Sequence, residues 1–431
     1  MPEILFADTK AGIRPAVSDI FRHFGGAGSL LKSSGDVYLK VNAVDLKEHS
    51  YTDPEVIREI ILCFKKGGAK NIYVIENCTQ GNFTRLVFKA TGIERVCRDT
   101  GAIPVYLDET GAVPMWLEGL QSFIDISSFV HERLICEKGQ NLYVSIPKLK
   151  THSMSQITLS IKNQFGFVHQ ESRIDDHNFR LHRKFADIYR VIQPDFTIID
   201  GIIATNHGHY IARKNAAECV VPMDCLIGGI DALACDTVGA AFLGFDLDDV
   251  SHLKLSAETG IGEGDLERIT IVNKYLFEER RQNLTCELLD KFPRELVILR
   301  GRERCCKEGC RRNTETVVEV LYNDHEGSGD FTILMGKRID PKAVRGLAGP
   351  VHIAGSCAIQ DYGHELLRRP GRERVTMSRG CNNLAETVHG LCKHMGVNPL
   401  KLGGLNPIRS LAALVTARIK GTKAIIPPLF S

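Results

Sequence analysis

Gly35-Asp36-Val37-Tyr38-Leu39-Lys40-Val41 opens the stretch that decides the fold, and Asn71-Ile72-Tyr73-Val74-Ile75-Glu76 closes it. Both runs are short and β-rich. Between them Thr52 or Asp53 can cap a helix that has Pro54 in its first turn, with Val56, Ile57, Ile60, Ile61 and Phe64 on one face. Gly67-Gly68 stops it. Strand, helix and strand with short connections make a βαβ unit and predict a parallel sheet. Further strands are expected at Ile103 to Leu107, Leu142 to Ile146, Phe196 to Asp200, Cys219 to Met223 and Ile269 to Val272. Helical patterns lie between them at Lys184 to Gln193 and Ile230 to Leu243. Residues 1–280 therefore read as one α/β domain with a doubly wound, mostly parallel sheet. The charged stretch Glu278 to Asn283 marks a boundary, and residues 281–431 read as a second, smaller, Cys-rich α/β domain. Strands at Glu295 to Leu299 and Val351 to Ala354 and a helix at Leu384 to Met395 are expected there. Ile408 to Lys420 reads as a docked terminal helix, with a membrane-surface helix as the alternative, and Ile425 to Leu429 as an apolar tail.

A chain of 431 residues has room for two or three domains. With 43% apolar and 25% charged residues it is neither disordered nor fibrous. A net charge of +2 supplies no field for nucleic acid or an anionic membrane. No apolar run approaches the length of a transmembrane helix. Met1 to Asp8 lacks the pattern of a secretory signal, so a cytoplasmic location is expected. In that reducing compartment the 14 cysteines stay as thiols. Cys63 and Cys235, inside apolar helix patterns, read as packing residues.

The densest chemical segment is Ile146-Pro147-Lys148-Leu149-Lys150-Thr151-His152, followed by Thr158-Leu159-Ser160-Ile161-Lys162-Asn163. It begins where the strand Leu142 to Ile146 ends, and ligands of open α/β sheets bind beyond the carboxyl ends of strands. Lys148, Lys150, His152, Lys162 and Asn163 are the catalytic candidates of a pocket for a small anionic substrate. A lysine among other cations, or partly desolvated, gives up its proton more easily. A solvated surface loop is the alternative.

Pro147 to His152 together with Ser160 to Gly166 closely resembles the signature of the domain of unknown function family numbered 362. Gly35 to Asn42, Phe196 to Gly201, Asp231 to Val238 and Glu258 to Gly262 extend the resemblance over roughly residues 30–275, in order. That family is often associated with iron–sulfur proteins of anaerobic bacteria and archaea, and the resemblance implies an α/β architecture more than a substrate. Many members carry a ferredoxin-type module with closely spaced Cys runs ending in Pro. This chain has none, so any cluster here is built differently.

Asp231 and Asp236 are near one face if helical, and they can orient the lysines, hold a hard cation or simply cap the helix. His207 and His209, in Asn206-His207-Gly208-His209, can place two imidazoles on one side of an extended segment. These four residues are the substrate-binding candidates, with a dedicated His-metal site as the lesser reading.

Cys305-Cys306-Lys307-Glu308-Gly309-Cys310 follows an expected strand end, as does Cys357 in Gly355-Ser356-Cys357-Ala358. Cys381 lies where a loop enters a helix, whose amino end stabilises negative charge. Cys305, Cys306, Cys310, Cys357 and Cys381 are the metal-ligand candidates, and Cys392 reads as packing. Arg300, Arg302, Arg304, Lys307, Arg311 and Arg312 surround the first group; such positive surroundings lower thiol pKa values. An iron–sulfur cluster of the 4Fe-4S type is the preferred cofactor, with zinc or a redox couple as alternatives.

Gly260-Ile261-Gly262-Glu263-Gly264 only loosely resembles a dinucleotide fingerprint, and neither a phosphate loop nor a Gly-x-Ser-x-Gly elbow is present. The leading reading is an iron–sulfur oxidoreductase acting on a small anionic substrate, with an electron-transfer protein or a second copy of the chain as compatible partners. A non-redox isomerase or lyase with zinc, nickel or structural cysteines is the second reading. A non-catalytic cluster carrier or binding protein is the third.

Overall fold

Asp53 caps helix Pro54–Lys66 by accepting from the Glu55 amide at 2.7 Å, with Pro54 at the first helical position. This is the βαβ unit expected from the sequence. It is seen in the computed structural model, which describes residues 1–210, 212–398, 402 and 406–423. Numbered in chain order, the strands are β1 (Glu3–Asp8), β2 (Asp36–Val41), β3 (Asn71–Glu76), β4 (Ile103–Tyr106), β5 (Ala112–Leu117) and β6 (Ser122–Ser127). Then come β7 (Leu142–Ile146), β8 (Lys148–His152), β9 (Gln156–Thr158), β10 (Phe196–Thr205), β11 (Val220–Gly229) and β12 (Thr270–Val272). Among the described residues, ten of these form one sheet ordered β12-β1-β11-β10-β7-β2-β3-β4, with β8 beside β10 and β9 beside β8. Its centre, β10-β7-β2-β3-β4, is parallel, and β11 is antiparallel to both β10 and β1.

Successive side chains of a strand point to opposite faces. Accordingly Val37, Leu39 and Val41 join Ile57, Ile60 and Phe64 in one apolar cluster, while Tyr38 joins Tyr143, Phe185 and Val238 in another. Each fully buried Val, Ile, Leu or Phe side chain contributes about 1.5–3 kcal/mol relative to exposure. Both faces of the sheet are therefore covered, as near-continuous apolar strands require. The chain has the α/β, mostly parallel fold that its pattern predicts.

The C-terminal third carries its own parallel sheet of β13 (Val297–Arg300), β14 (Thr332–Met335), β15 (Val351–Ala354) and β16 (Val375–Ser378), in that order. Helices Arg312–His325 and Leu384–Met395 pack against it. The sequence reading missed β14, β16 and the first of these helices. The terminal helix, Pro407–Ile419, docks as expected: Ala413, Leu414 and Ala417 pack on Phe83 and Leu86. The apolar tail Ile425 to Leu429 lies outside the described residues. No helix among the described residues is long and apolar enough to cross a membrane.

Candidate functional site

A cavity of about 700 Å³ opens beyond the carboxyl ends of β2, β3 and β7, between them and helices Arg312–His325 and Leu384–Met395. Lys150, His152, Lys162, Asn163 and His209 line it. Lys148 does not. Residues 148–152 are a buried strand, not the solvated loop of the alternative reading, because β8 resumes pairing with β10 once Pro147 has interrupted β7. Lys148 lies opposite Asp200 but Lys150 opposite Thr205, so a bulge separates them. Lys148 forms a buried ion pair with Asp200 at 3.0 Å, and Asp200 also accepts from the Asp53 amide at 2.8 Å. That lysine ties strand to strand. Lys150 donates to the Ser50 carbonyl at 2.6 Å, and burial pushes its pKa well down.

The expected pairing of His207 with His209 is corrected. Positive φ angles at His207 (60°) and Gly208 (98°) turn the chain, and a Cβ at Gly208 would approach that of Ser153 at 3.3 Å. His207 bonds through Nδ1 to the Glu287 carbonyl at 2.9 Å, away from the cavity. His209 instead stacks on His152, ring centroids 3.6 Å apart and 3° from parallel. His152 Nδ1 accepts from the Met154 amide at 3.2 Å, which leaves Nε2 to carry the proton of the neutral ring. Burial first, and neighbouring cations second, hold both imidazoles well below their usual range.

Asp231 and Asp236 are also corrected: neither lines the cavity. Asp231 caps helix Ala232–Phe242 and accepts from the Glu263 amide at 2.9 Å. Asp236 accepts from the amides of Ser160 (2.8 Å) and Ile161 (2.7 Å). It thereby caps the single turn Ser160–Asn163 from across the sequence, and that turn presents Lys162 and Asn163. Burial pushes the Asp236 carboxyl up to about 8, against the pull of the two amides.

Lys162 opens its ammonium into the cavity, so its accessible area marks it half-buried although protein surrounds it. It forms no ion pair among the described residues and lies 5.5 Å from the Phe185 ring centre. Burial, then Lys40 and Arg173, push it down to about 7, and Glu76 acts the other way. The unfolded chain then holds more protons than the folded one between about pH 7 and 10.5, so stability rises with pH across that window. Lys150 is also lowered, and His152, His177 and His209 stay neutral beside them. Urea unfolding of the wild type and Lys162→Met at pH 6 and 8.5 isolates the share of Lys162. The stability difference should move by about 2 kcal/mol in favour of the wild type on going to pH 8.5. A constant difference would contradict the assignment.

The sequence reading missed Arg173, Lys40, Glu76, His177 and Asn178. Arg173, in helix Gln170–Asp176, is buried and lines the cavity; Nη1 reaches the Asn77 carbonyl at 3.4 Å, while Nε and Nη2 have no hydrogen-bond partner. Lys40 and Glu76 are a buried ion pair in which Glu76 lines the cavity, so a carboxylate paired to Lys40 lies beside Lys162 and Arg173, and Lys40 also donates to Asn163 Oδ1 at 3.2 Å. No local pattern distinguishes Arg173, Lys40 and Glu76 from ordinary helix or strand charges, and His177 and Asn178 lie in the bend that follows helix Gln170–Asp176.

The five candidate thiols gather at the carboxyl ends of the second sheet. Cys305, Cys306 and Cys310 follow β13, Cys357 follows β15 and Cys381 follows β16. Cys310 is buried against Gly355, which has φ 86°; a Cβ there would overlap its sulfur. Burial pushes Cys310 up to about 12, and the charges of Cys305, Cys381, Cys306 and Cys357 add to the rise. Cys381 likewise feels Cys306 and Cys357. Cys305 is pushed up to about 11 and packs partly into the apolar cluster of Val318, Phe331 and Leu391.

The expectation of lowered thiol pKa values is overturned. Arg300, Arg311 and Arg312 all turn to the buried Glu315, Arg302 pairs with Asp340 and Lys307 with Glu287. Their charge is largely neutralised, and desolvation dominates at the sulfurs. None of the five thiols lines the cavity, but the backbone of Cys381 lies next to it: Asn178 Nδ2 donates to the Cys381 carbonyl at 2.7 Å, and both Asn178 and Asn382 line the cavity. Among the described residues, no three His, Cys, Asp or Glu side chains are grouped as ligands of a single metal ion.

Residues 37–241 match the family model described as Domain of unknown function (DUF362). The chain is also similar to a thylakoid-associated protein, sll1697, of Synechocystis sp., with 27% identity over 192 residues. That alignment covers 42% of this chain and 56% of the relative, so the chain spans little more than half of the relative's length.

Proposed function

We propose that this chain, whose residues 37–241 are of the DUF362 type, is an iron–sulfur oxidoreductase acting on an anionic substrate in the Lys/His cavity. One observation carries the reading: thiols from three chain segments gather at one sheet edge, beside two asparagines that border the cavity. In a cubane each cysteine binds a different iron, and we assign that role to Cys306, Cys310, Cys357 and Cys381, with Cys305, the strongest charged neighbour of Cys310, as the competitor of Cys306 for one iron. Gly355 supplies the room, since any side chain there would displace the Cys310 sulfur. Protonated, crowded thiols suit this role because metal binding releases their protons and removes their mutual repulsion. A bound cluster would supply one-electron transfer.

The residues of the chain do the rest. Lys150, Lys162 and Arg173 bind the anionic group of the substrate. His152, neutral and with its proton on Nε2, donates or recovers a proton, and its stacking on His209 fixes the ring plane. Cys381 is exposed and marks the edge where an electron-transfer protein would meet the cluster. The reading places the chain in a reducing cytoplasm.

Anaerobic purification with iron, sulfide and zinc analysis and an electron paramagnetic resonance spectrum of the reduced protein tests it. About four irons and four sulfides per chain are expected. Stoichiometric zinc, or an iron-free protein that keeps full turnover, would overturn it.

A further inference from the structure

The two ends of the cavity differ in chemistry. At one end stand Arg173, with two donor nitrogens, and Lys162, with its ammonium, and none of these nitrogens has a hydrogen-bond or ion-pair partner among the described residues. Buried donors without acceptors are costly unless a ligand or water satisfies them. The other end is walled by Val317, Val320 and Leu321 on one helix and Leu384, Ala385 and Val388 on another. Positions 317, 320 and 321 share one helical face, as do 384, 385 and 388. Phe83 and Leu86, packed on the terminal helix, add further apolar lining.

A cavity of about 700 Å³ is of the size that holds a drug-sized molecule. A small anion would fill only the cationic end and leave the Val/Leu wall against water. We infer that the ligand is amphipathic, with a carboxylate or phosphate head at Lys162 and Arg173 and a hydrocarbon body between the helices of Val320 and Val388. This deepens the proposed function, resting on it only for the anionic end, and replaces a small substrate with a larger one. The head lies on the side of the cavity that also holds His177 and Asn178. Asn178 is hydrogen-bonded to the Cys381 carbonyl, so the head lies on the side of the cavity that the Cys381 segment borders.

Calorimetric titration of the full chain, below micelle-forming concentrations, tests this with dodecanoate, dodecyl phosphate, dodecylamine, acetate and inorganic phosphate. At least one long-chain anion should bind about a hundredfold or more tighter than its head alone, from burial of several methylenes. The dodecanoate and dodecyl phosphate arms distinguish the two heads. Dodecylamine should bind at least about tenfold more weakly than the preferred anion. Val320→Asp and Val388→Asp should remove the gain from the tail and keep head binding. Lys162→Met should remove the preference for the anion over the amine, and Arg173→Met provides a second reading of the same end. Equal binding of head and long-chain anion, equal binding of the amine, or no binding of any probe would overturn the inference. Iron content measured on the same samples separates the two readings. Iron present without amphiphile binding sinks this inference alone, and amphiphile binding by an iron-free chain sinks only the cluster.

Discussion

On the proposed cluster reading, Cys310→Ser should lose most of its iron and its visible absorption, whereas Cys305→Ser should keep both. Cys310 is the most enclosed of the gathered thiols, and all four others lie within its electrostatic reach. Cys305 adjoins Cys310, but its own strongest charged neighbours are Glu315, Arg300 and Arg311 rather than the other thiols. Cys306, by contrast, is coupled to Cys357, and Cys381 to both. Serine at Cys306, Cys357 or Cys381 should therefore behave as at Cys310. Any ligand that binds only the folded state stabilises it, so the variants that lose iron should also melt earlier than Cys305→Ser. The readouts are iron per chain, the visible spectrum and the thermal midpoint under anaerobic conditions. Equal iron loss in Cys305→Ser and Cys310→Ser would show that the adjacent pair does not divide its roles in this way.

Lys40→Met should destabilise the chain by about 3–5 kcal/mol, the range found when one partner of a buried ion pair is removed. The Lys40 and Glu76 side chains are 1% and 2% exposed, and the ammonium also bonds the Val41 carbonyl at 2.9 Å and Asn163 Oδ1 at 3.2 Å. Glu76 in turn accepts from the Ala43 amide at 2.7 Å and the Asn77 amide at 2.7 Å. Without Lys40 a carboxylate is left among backbone donors with no cation in contact, and Asn163 loses one of its two donors. Glu76→Gln should cost less: one amide oxygen still accepts from part of this set, and Lys40, whose pKa burial already pushes down, can shed its proton once the carboxylate is gone. The double variant Lys40→Met/Glu76→Gln should lose less than the two single losses combined, since the uncompensated charge is gone. Urea unfolding of the four proteins measures the coupling. Strict additivity would mean that the pair contributes nothing as a pair.

The sequence reading captured what neighbouring residues decide among themselves. Alternating apolar positions in Val37 to Val41, the Asp53-Pro54 start and the Gly67-Gly68 stop specify strand, helix and turn through local sterics and capping. Those local elements are enough to impose an α/β class. The motif from Pro147 to Gly166 also pointed to the right end of the sheet, because strand ends precede binding loops in this class. It did not show which lysine reaches the cavity. Lys148 and Lys150 are two residues apart in one strand, and only the bulge against β10 gives the first to Asp200 and leaves the second at the cavity.

Charge told a similar story. Six cations near Cys305 and Cys310 suggested a field that lowers thiol pKa values, yet buried Glu315 collects three of them. Asp236, read as a ligand for substrate or cation, spends both oxygens on a turn 75 and 76 residues earlier in the chain. Arg173 and the apolar helix faces that shape the cavity gave no sequence signal, since each is ordinary in its own segment. Local sequence thus determined the elements, their order and the residue types available for chemistry. Tertiary structure alone decided which charges are paired, which thiols meet and how large a space they share, because burial and electrostatic pairing depend on contacts between residues far apart in the chain.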